Sequence, residues 1–112
     1  RRESEMQAVL LLEQVGLEDW KRSYPAELSG GMKKRLAFAR SFACMPGALL
    51  LDEPFTGLHH DARAKLWALF GDLIQQKPVP VIVVTHFPEE VPARPGTRFY
   101  TLSGKPAGLI PA

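Results

Sequence analysis

Three short segments between residues 28 and 86 combine residue types suited to phosphate chemistry. The first is Leu28-Ser29-Gly30-Gly31-Met32. Ser29 is a good helix N-cap, and two glycines follow it into the first turn. Each glycine there costs roughly 1 kcal/mol relative to alanine, so something is expected to approach the backbone closely. A helix start with bare N–H groups is a ready anion site. Met32 stands where a capping box would place Glu or Gln, so no side chain neutralises that end. The pentapeptide suits a plain turn into a capped helix equally well, and by itself it does not separate the two.

The second segment is Ala48-Leu49-Leu50-Leu51-Asp52-Glu53. A short apolar run ending in two carboxylates reads as a buried parallel strand whose acids sit at the C-terminal edge of the sheet, where ligands bind in open α/β folds. Asp52 can hold Mg²⁺, directly or through water. Glu53 can orient and deprotonate a water for in-line attack on phosphorus. The plainer alternative is a pair of solvated charges capping a strand, against which Pro54 argues mildly by fixing the turn. The third segment, Val81-Ile82-Val83-Val84-Thr85-His86, ends a second strand in a histidine able to donate to a phosphate oxygen. A lone strand-end histidine is more often structural. His59 and His60 are adjacent and diverge, so they are not expected to chelate a metal.

The elements that must position these residues follow from periodicity. Residues 5–15 read as a helix with Met6, Val9, Leu10, Leu12 and Val15 inward, stopped by Gly16-Leu17. A second helix runs from Ser29 to about Cys44, with Leu36, Ala39, Arg40 and Ala43 on its apolar face and Pro46-Gly47 ending it. Asp61 is expected to cap a third helix over residues 62–76, with Leu66, Leu69, Phe70 and Leu73 inward. Strand, helix and strand then form a right-handed βαβ crossover in a parallel sheet, with both faces covered. Residues 97–102, meeting Ser103-Gly104-Lys105-Pro106, read as an edge hairpin.

Composition narrows the classes. With 112 residues the chain is one small domain at most. Fourteen basic and twelve acidic residues give a net charge of +2, too balanced to argue for nucleic acid or an anionic membrane. The single Cys44 excludes an internal disulfide, suits a reducing compartment and is expected as a small core residue. No apolar run approaches the ~18 residues of a membrane span. No G-x-x-x-x-G-K-[ST] phosphate loop occurs in the 112 residues.

Taken together the motifs resemble those of the ATP-binding subunit of ABC transporters, over roughly residues 6–88. Leu28 to Met32 is similar to the family signature, Leu49 to Asp52 to the Walker B strand, Glu53 to the catalytic glutamate, Phe55 to His59 to the D-loop, and His86 to the switch histidine. Lys33-Lys34-Arg35 and Ala37-Phe38-Ala39-Arg40 follow the signature helix. The wording from Tyr24 to Met32 is similar to importers of the nitrate, sulfonate and taurine type. The resemblance implies a partial P-loop NTPase fold of the α/β class. Residues 1–46 would form a helical subdomain, and residues 47–112 catalytic-core strands with a C-terminal hairpin. It implies ATP and Mg²⁺ as cofactors, with Ser29, Gly30, Gly31 and Met32 on the phosphates of ATP held by a second, head-to-tail subunit. Asp52, as the Mg²⁺ ligand, and Glu53 and His86, as catalytic groups, would serve the subunit's own ATP. It further implies a membrane permease partner, no nucleic acid, and a cytoplasmic position on the inner face of the plasma membrane. Met32 departs from the usual Gln and His59 from the usual Asp. The Walker A loop, adenine-stacking aromatic and Q-loop are expected upstream of residue 1, so the chain reads as the C-terminal portion of an ATPase and as inactive alone. A non-transport ABC ATPase, or a truncated non-enzymatic remnant, is the competing expectation.

Overall fold

A computed structural model describes residues 1–104 and 108–112. Helix α1 spans Arg2–Gln14, with Glu3 and Glu5 in its first turn complementing the helix dipole. Its end is a Schellman motif: Gly16 takes φ +68°, its N–H donates to the Glu13 carbonyl at 3.0 Å, and the Leu17 N–H donates to the Leu12 carbonyl at 2.8 Å. Leu11, Val15 and Leu17 are buried, whereas Met6 and Leu10, expected inward, are exposed. Helix α1 packs mainly on α2, so its buried stripe is narrower than its apolar sequence suggests.

Two single 3₁₀ turns, Glu18–Trp20 and Pro25–Glu27, lead to helix α2, Gly30–Ala43. The core side of α2 is Phe38, Ala39 and Phe42; Leu36 is half-buried, while Arg40 and Ala43, expected on that face, are exposed. Two phenyl rings spaced i, i+4 bury more apolar area than the small-residue row beside them, and they decide the helix's rotation. Cys44 is the C-cap of α2 and is exposed, which corrects its expected core position.

Strand β1, Leu49–Asp52, pairs in parallel with β2, Val81–Val84, placing Asp52 opposite Val84. Helix α3, His60–Gln76, connects them. It begins before Asp61, which therefore lies in the first turn and caps nothing; His59 is the N-cap residue and makes no side-chain cap bond. Leu66, Trp67, Phe70, Gly71 and Leu73 are its buried residues, Trp67 and Gly71 being additions to the expected set, while Leu69 is half-buried.

Only one face of the two-stranded sheet is covered among the described residues. Leu49, Leu51, Val81 and Val83 pack on the core, while Leu50 is 76% exposed, Ile82 60% and Val84 57%. Alternation along each strand sends these last three to the opposite side, where no element among the described residues lies over them. Strand β3, Tyr100–Ser103, and strand β4, Gly108–Pro111, form the antiparallel hairpin expected at the edge. Its turn at Lys105-Pro106 lies outside the described residues.

The core is one cluster drawn from α1, α2, β1, the β1–α3 loop and α3. Aromatic rings run through it. Phe38 lies 5.3 Å from Phe55 and 5.2 Å from Phe70 between centroids, and Phe55 meets Trp67 edge-on at 4.6 Å. Phe55, two residues after Glu53, thereby anchors the loop that leaves β1.

Candidate functional site

The two parallel strands end side by side, and their ends carry the candidate groups. The Glu53 N–H donates to the Val84 carbonyl at 2.8 Å, extending the ladder one residue past β1. Glu53 then takes φ +44°, a left-handed conformation rare outside glycine, where the chain leaves the sheet. Such strain persists only where the surroundings over-determine it. Here the Thr56 hydroxyl, 3.2 Å away, donates to the Glu53 carbonyl, while Phe55 is sunk in the core.

The turn directs the Glu53 side chain at His86. Nδ1 of the ring and Oε1 of the carboxylate are in direct hydrogen-bonding contact, with Glu53 27% and His86 87% exposed. The other carboxylate oxygen faces the Thr56 hydroxyl at 3.5 Å. Residues 33 positions apart in sequence are thus joined by the parallel pairing of β1 and β2. A carboxylate on Nδ1 fixes the ring so that Nε2 faces solvent, free to meet a ligand. Asp52 is exposed, and among the described residues its carboxylate has no hydrogen-bond or ion-pair partner.

Ser29, Gly30 and Gly31 make a separate feature. The Ser29 hydroxyl accepts from the Met32 N–H at 3.2 Å, and the first helical bond runs from the Lys33 N–H to the Ser29 carbonyl at 2.9 Å. The Gly30 and Gly31 N–H groups are left without an acceptor among the described residues. Neither glycine has a positive φ, and a Cβ built on either meets nothing within 4 Å. Neither backbone conformation nor packing among the described residues requires glycine at these positions. Met32 is half-buried against the core, so its side chain is a packing group and its amide is engaged by Ser29. No hydrogen bond or ion pair among the described residues connects this helix start to Asp52, Glu53 or His86.

Behind His86 lies a cluster that the motifs did not reveal. Arg63 on α3 forks onto Glu90, Nε to Oε2 and Nη2 to Oε1 both at 2.7 Å, and its Nη1 donates to the Leu58 carbonyl at 2.6 Å. Its guanidinium also sits 5.1 Å from the centroid of the Phe87 ring. His60 Nδ1 lies 3.5 Å from Glu90 Oε1, whereas His59 is simply exposed. The Arg63 hydrogen bonds hold the Glu90 carboxyl below the usual glutamate range, and the same bonds raise Arg63. A pair 27 residues apart carries no local sequence signal. Among the described residues no cluster of three or more His, Cys, Asp or Glu could hold a metal by itself.

The fit to a magnesium nucleotide rests on the donors present. Mg²⁺ bound with a nucleotide usually takes one or two carboxylates and completes its shell with water and phosphate. One unpartnered Asp52 beside Glu53, together with two free amides opening a helix elsewhere, suits that division.

The family model for ABC transporter matches residues 2–56. The nitrate import ATP-binding protein of Synechocystis sp. is 41% identical over 98 residues, covering 88% of this chain and 36% of that protein. The taurine import ATP-binding protein of Rhizobium johnstonii is 36% identical over 110 residues, covering 98% of this chain and 42% of that protein. The chain therefore spans about two fifths of the length of these relatives. The crystal structure of the ADP conformation of an ATP-binding cassette of an ABC transporter superposes with a TM-score of 0.71 at 20% identity, over 81% of this chain and 37% of that one. The last match speaks to the fold.

Proposed function

The chain belongs to the ABC transporter family of ATP-binding domains, and on that premise we propose that it carries the hydrolytic end of an importer's ATPase subunit. The observation that supports this most is the Glu53–His86 contact at the paired ends of β1 and β2. Residues 1–46 act as the helical subdomain and residues 47–112 as part of the catalytic core. The functions that the relatives are named for, nitrate and taurine import, support import over export. A membrane permease and a second ATP-binding subunit are the proposed partners. Contact with the permease would hold the subunit on the cytoplasmic face of the membrane.

Asp52 would hold Mg²⁺, whose charge neutralises that building on the phosphate oxygens. Glu53 accepts the proton of the attacking water, and its left-handed backbone aims it outward from the strand end. His86, with both ring nitrogens protonated, donates Nδ1–H to Glu53 and Nε2–H to a phosphate oxygen, and so steadies the glutamate that takes the proton. Ser29, Gly30 and Gly31 give their exposed amides and hydroxyl to the nucleotide of the opposing subunit. That accounts for glycines which nothing among the described residues requires. Met32 contributes packing beneath them.

The test exchanges this chain for the matching segment of the Synechocystis nitrate import subunit and measures MgATP turnover. The chimera should turn over ATP, and Glu53→Gln should lower the rate by about 10²–10⁴, the usual contribution of a general base, with MgATP binding kept. A folded chimera that binds MgATP and keeps its full rate after the Glu53→Gln substitution would exclude the proposed role.

A further inference from the structure

The position of His86 poses a mechanical question. Its side chain is 87% exposed, and its one polar contact among the described residues is Glu53. Two loops must hold still for that contact to persist: the one leaving β1 through Glu53 and the one leaving β2 through His86.

Arg63 joins both. Through Nη1 it holds the Leu58 carbonyl, and Leu58 belongs to the turn that Glu53 begins: its N–H faces the Phe55 carbonyl at 3.4 Å, and the Thr56 hydroxyl reaches back to the Glu53 carbonyl. Through its fork it holds Glu90, whose N–H donates to the Phe87 carbonyl at 3.1 Å, closing the turn that follows His86. Its guanidinium also covers the Phe87 ring, next in sequence to His86. The two partners are only 20% and 14% exposed, so the fork is shielded from water and geometrically fixed. A fork between two flexible surface chains would not transmit position in this way.

We propose that Arg63, acting through Glu90 and Leu58, is the positioning residue that keeps the His86 ring on the Glu53 carboxylate. Its importance for ATP turnover rests on the reading of Glu53 and His86 as the hydrolytic pair, but the contact it maintains can be measured without nucleotide. The competing account is an ion pair that merely fastens α3 to the neighbouring turn. That account leaves the His86 ring unaffected when the pair is broken.

The chain has three histidines, so ¹⁵N-histidine labelling gives three ring systems. The ring of His59 is exposed and touches none of the cluster, so circular dichroism of the same samples reports on the integrity of the fold. Spectra of the 112-residue chain would be taken at one neutral pH, in solution and by magic-angle spinning so that self-association does not remove the readout. Glu53→Gln defines the His86 ring shifts of the broken contact. Arg63→Ala and Glu90→Gln should move His86 most of the way to those shifts while the helical circular dichroism is unchanged. Arg63→Lys should fall between, because an ammonium keeps the charge but cannot span both carboxylate oxygens and the Leu58 carbonyl. Unmoved His86 shifts in Glu90→Gln and Arg63→Lys would overturn the proposal, as would a Glu53→Gln variant that leaves His86 unchanged. Should Arg63→Ala unfold the chain, the helical signal would be lost and the two milder variants decide. A failed ATPase reading shows itself differently, as His86 shifts that respond normally beside a chimera with no turnover.

Discussion

At the scale of the residue, Gly30 and Gly31 separate stability from function. Each lies in the first turn of α2 with open space around it, so alanine there meets no steric obstacle. Gly30→Ala and Gly31→Ala should each raise thermal stability, by up to about 1 kcal/mol, from helix propensity alone. If the helix start serves a nucleotide in the opposing subunit, the same substitutions should weaken MgATP-dependent pairing of the chimera. Stabilisation with pairing unchanged would favour the plain capped helix. Ser29→Ala should cost about 1 kcal/mol by removing the cap on the Met32 amide. Glu90 allows a prediction in pH. Its folded-state carboxyl is held below the ordinary value of 4.5 by the Arg63 hydrogen bonds. Its stabilising contribution is therefore fully present above about pH 4.5 and is lost as pH falls through the depressed folded-state value. The difference in melting temperature between the native chain and Glu90→Gln should be constant near neutrality and close on acidification. A gap that widens in acid contradicts the assignment.

At the scale of the element, the legible parts were those with strong local punctuation. Gly16-Leu17 stopping α1, Ser29 capping α2 and the apolar run of β1 are each settled within a few residues, and the structure reproduces them. The faces of the helices were less legible, because which stripe is buried depends on the partner. Phe38 and Phe42 outweighed the small-residue row of α2, and Trp67 joined α3's buried set because Phe55 comes to meet it. The Asp61 cap failed because α3 starts at His60, earlier than the apolar periodicity begins. In the candidate site, Asp52, Glu53 and His86 were readable as strand-end chemistry, but Arg63 and Glu90 were not, since only the parallel crossover brings them together. Phe55→Ala should cost roughly 3–5 kcal/mol, as large aromatic truncations do. It should also loosen the loop that carries Glu53, visible as faster amide exchange at residues 53–58 than in α1. Equal acceleration throughout the chain would mean that Phe55 serves the core alone.

At the scale of the whole molecule, the surface is larger than a compact protein of this mass exposes. The accessible area is 8498 Å², against roughly 6100 Å² for a compact protein of this mass. The radius of gyration is 15.7 Å, where about 13 Å is usual for this length. The excess matches what stands open: the sheet face of Leu50, Ile82 and Val84, the unpaired strand edges, and a hairpin whose eight strand residues are all exposed. Open edges and apolar faces invite pairing. The 112 residues alone should self-associate in light scattering, and Leu50→Lys with Ile82→Thr should reduce it; a monodisperse native monomer contradicts this. No G-x-x-x-x-G-K-[ST] loop occurs in these residues to hold the β- and γ-phosphates, so their turnover by themselves should be negligible. Glu53 is assigned to the nucleotide of its own subunit and Gly31 to that of the opposing one, and one mixing experiment tests this division directly. Chimeras carrying Glu53→Gln or Gly31→Asp should each be inactive alone. Mixed, they form pairs in which one site has both an intact Glu53 and an intact opposing Gly31, so MgATP turnover should return. A mixture as inactive as either variant, with pairing demonstrated, would contradict the division between the two half-sites.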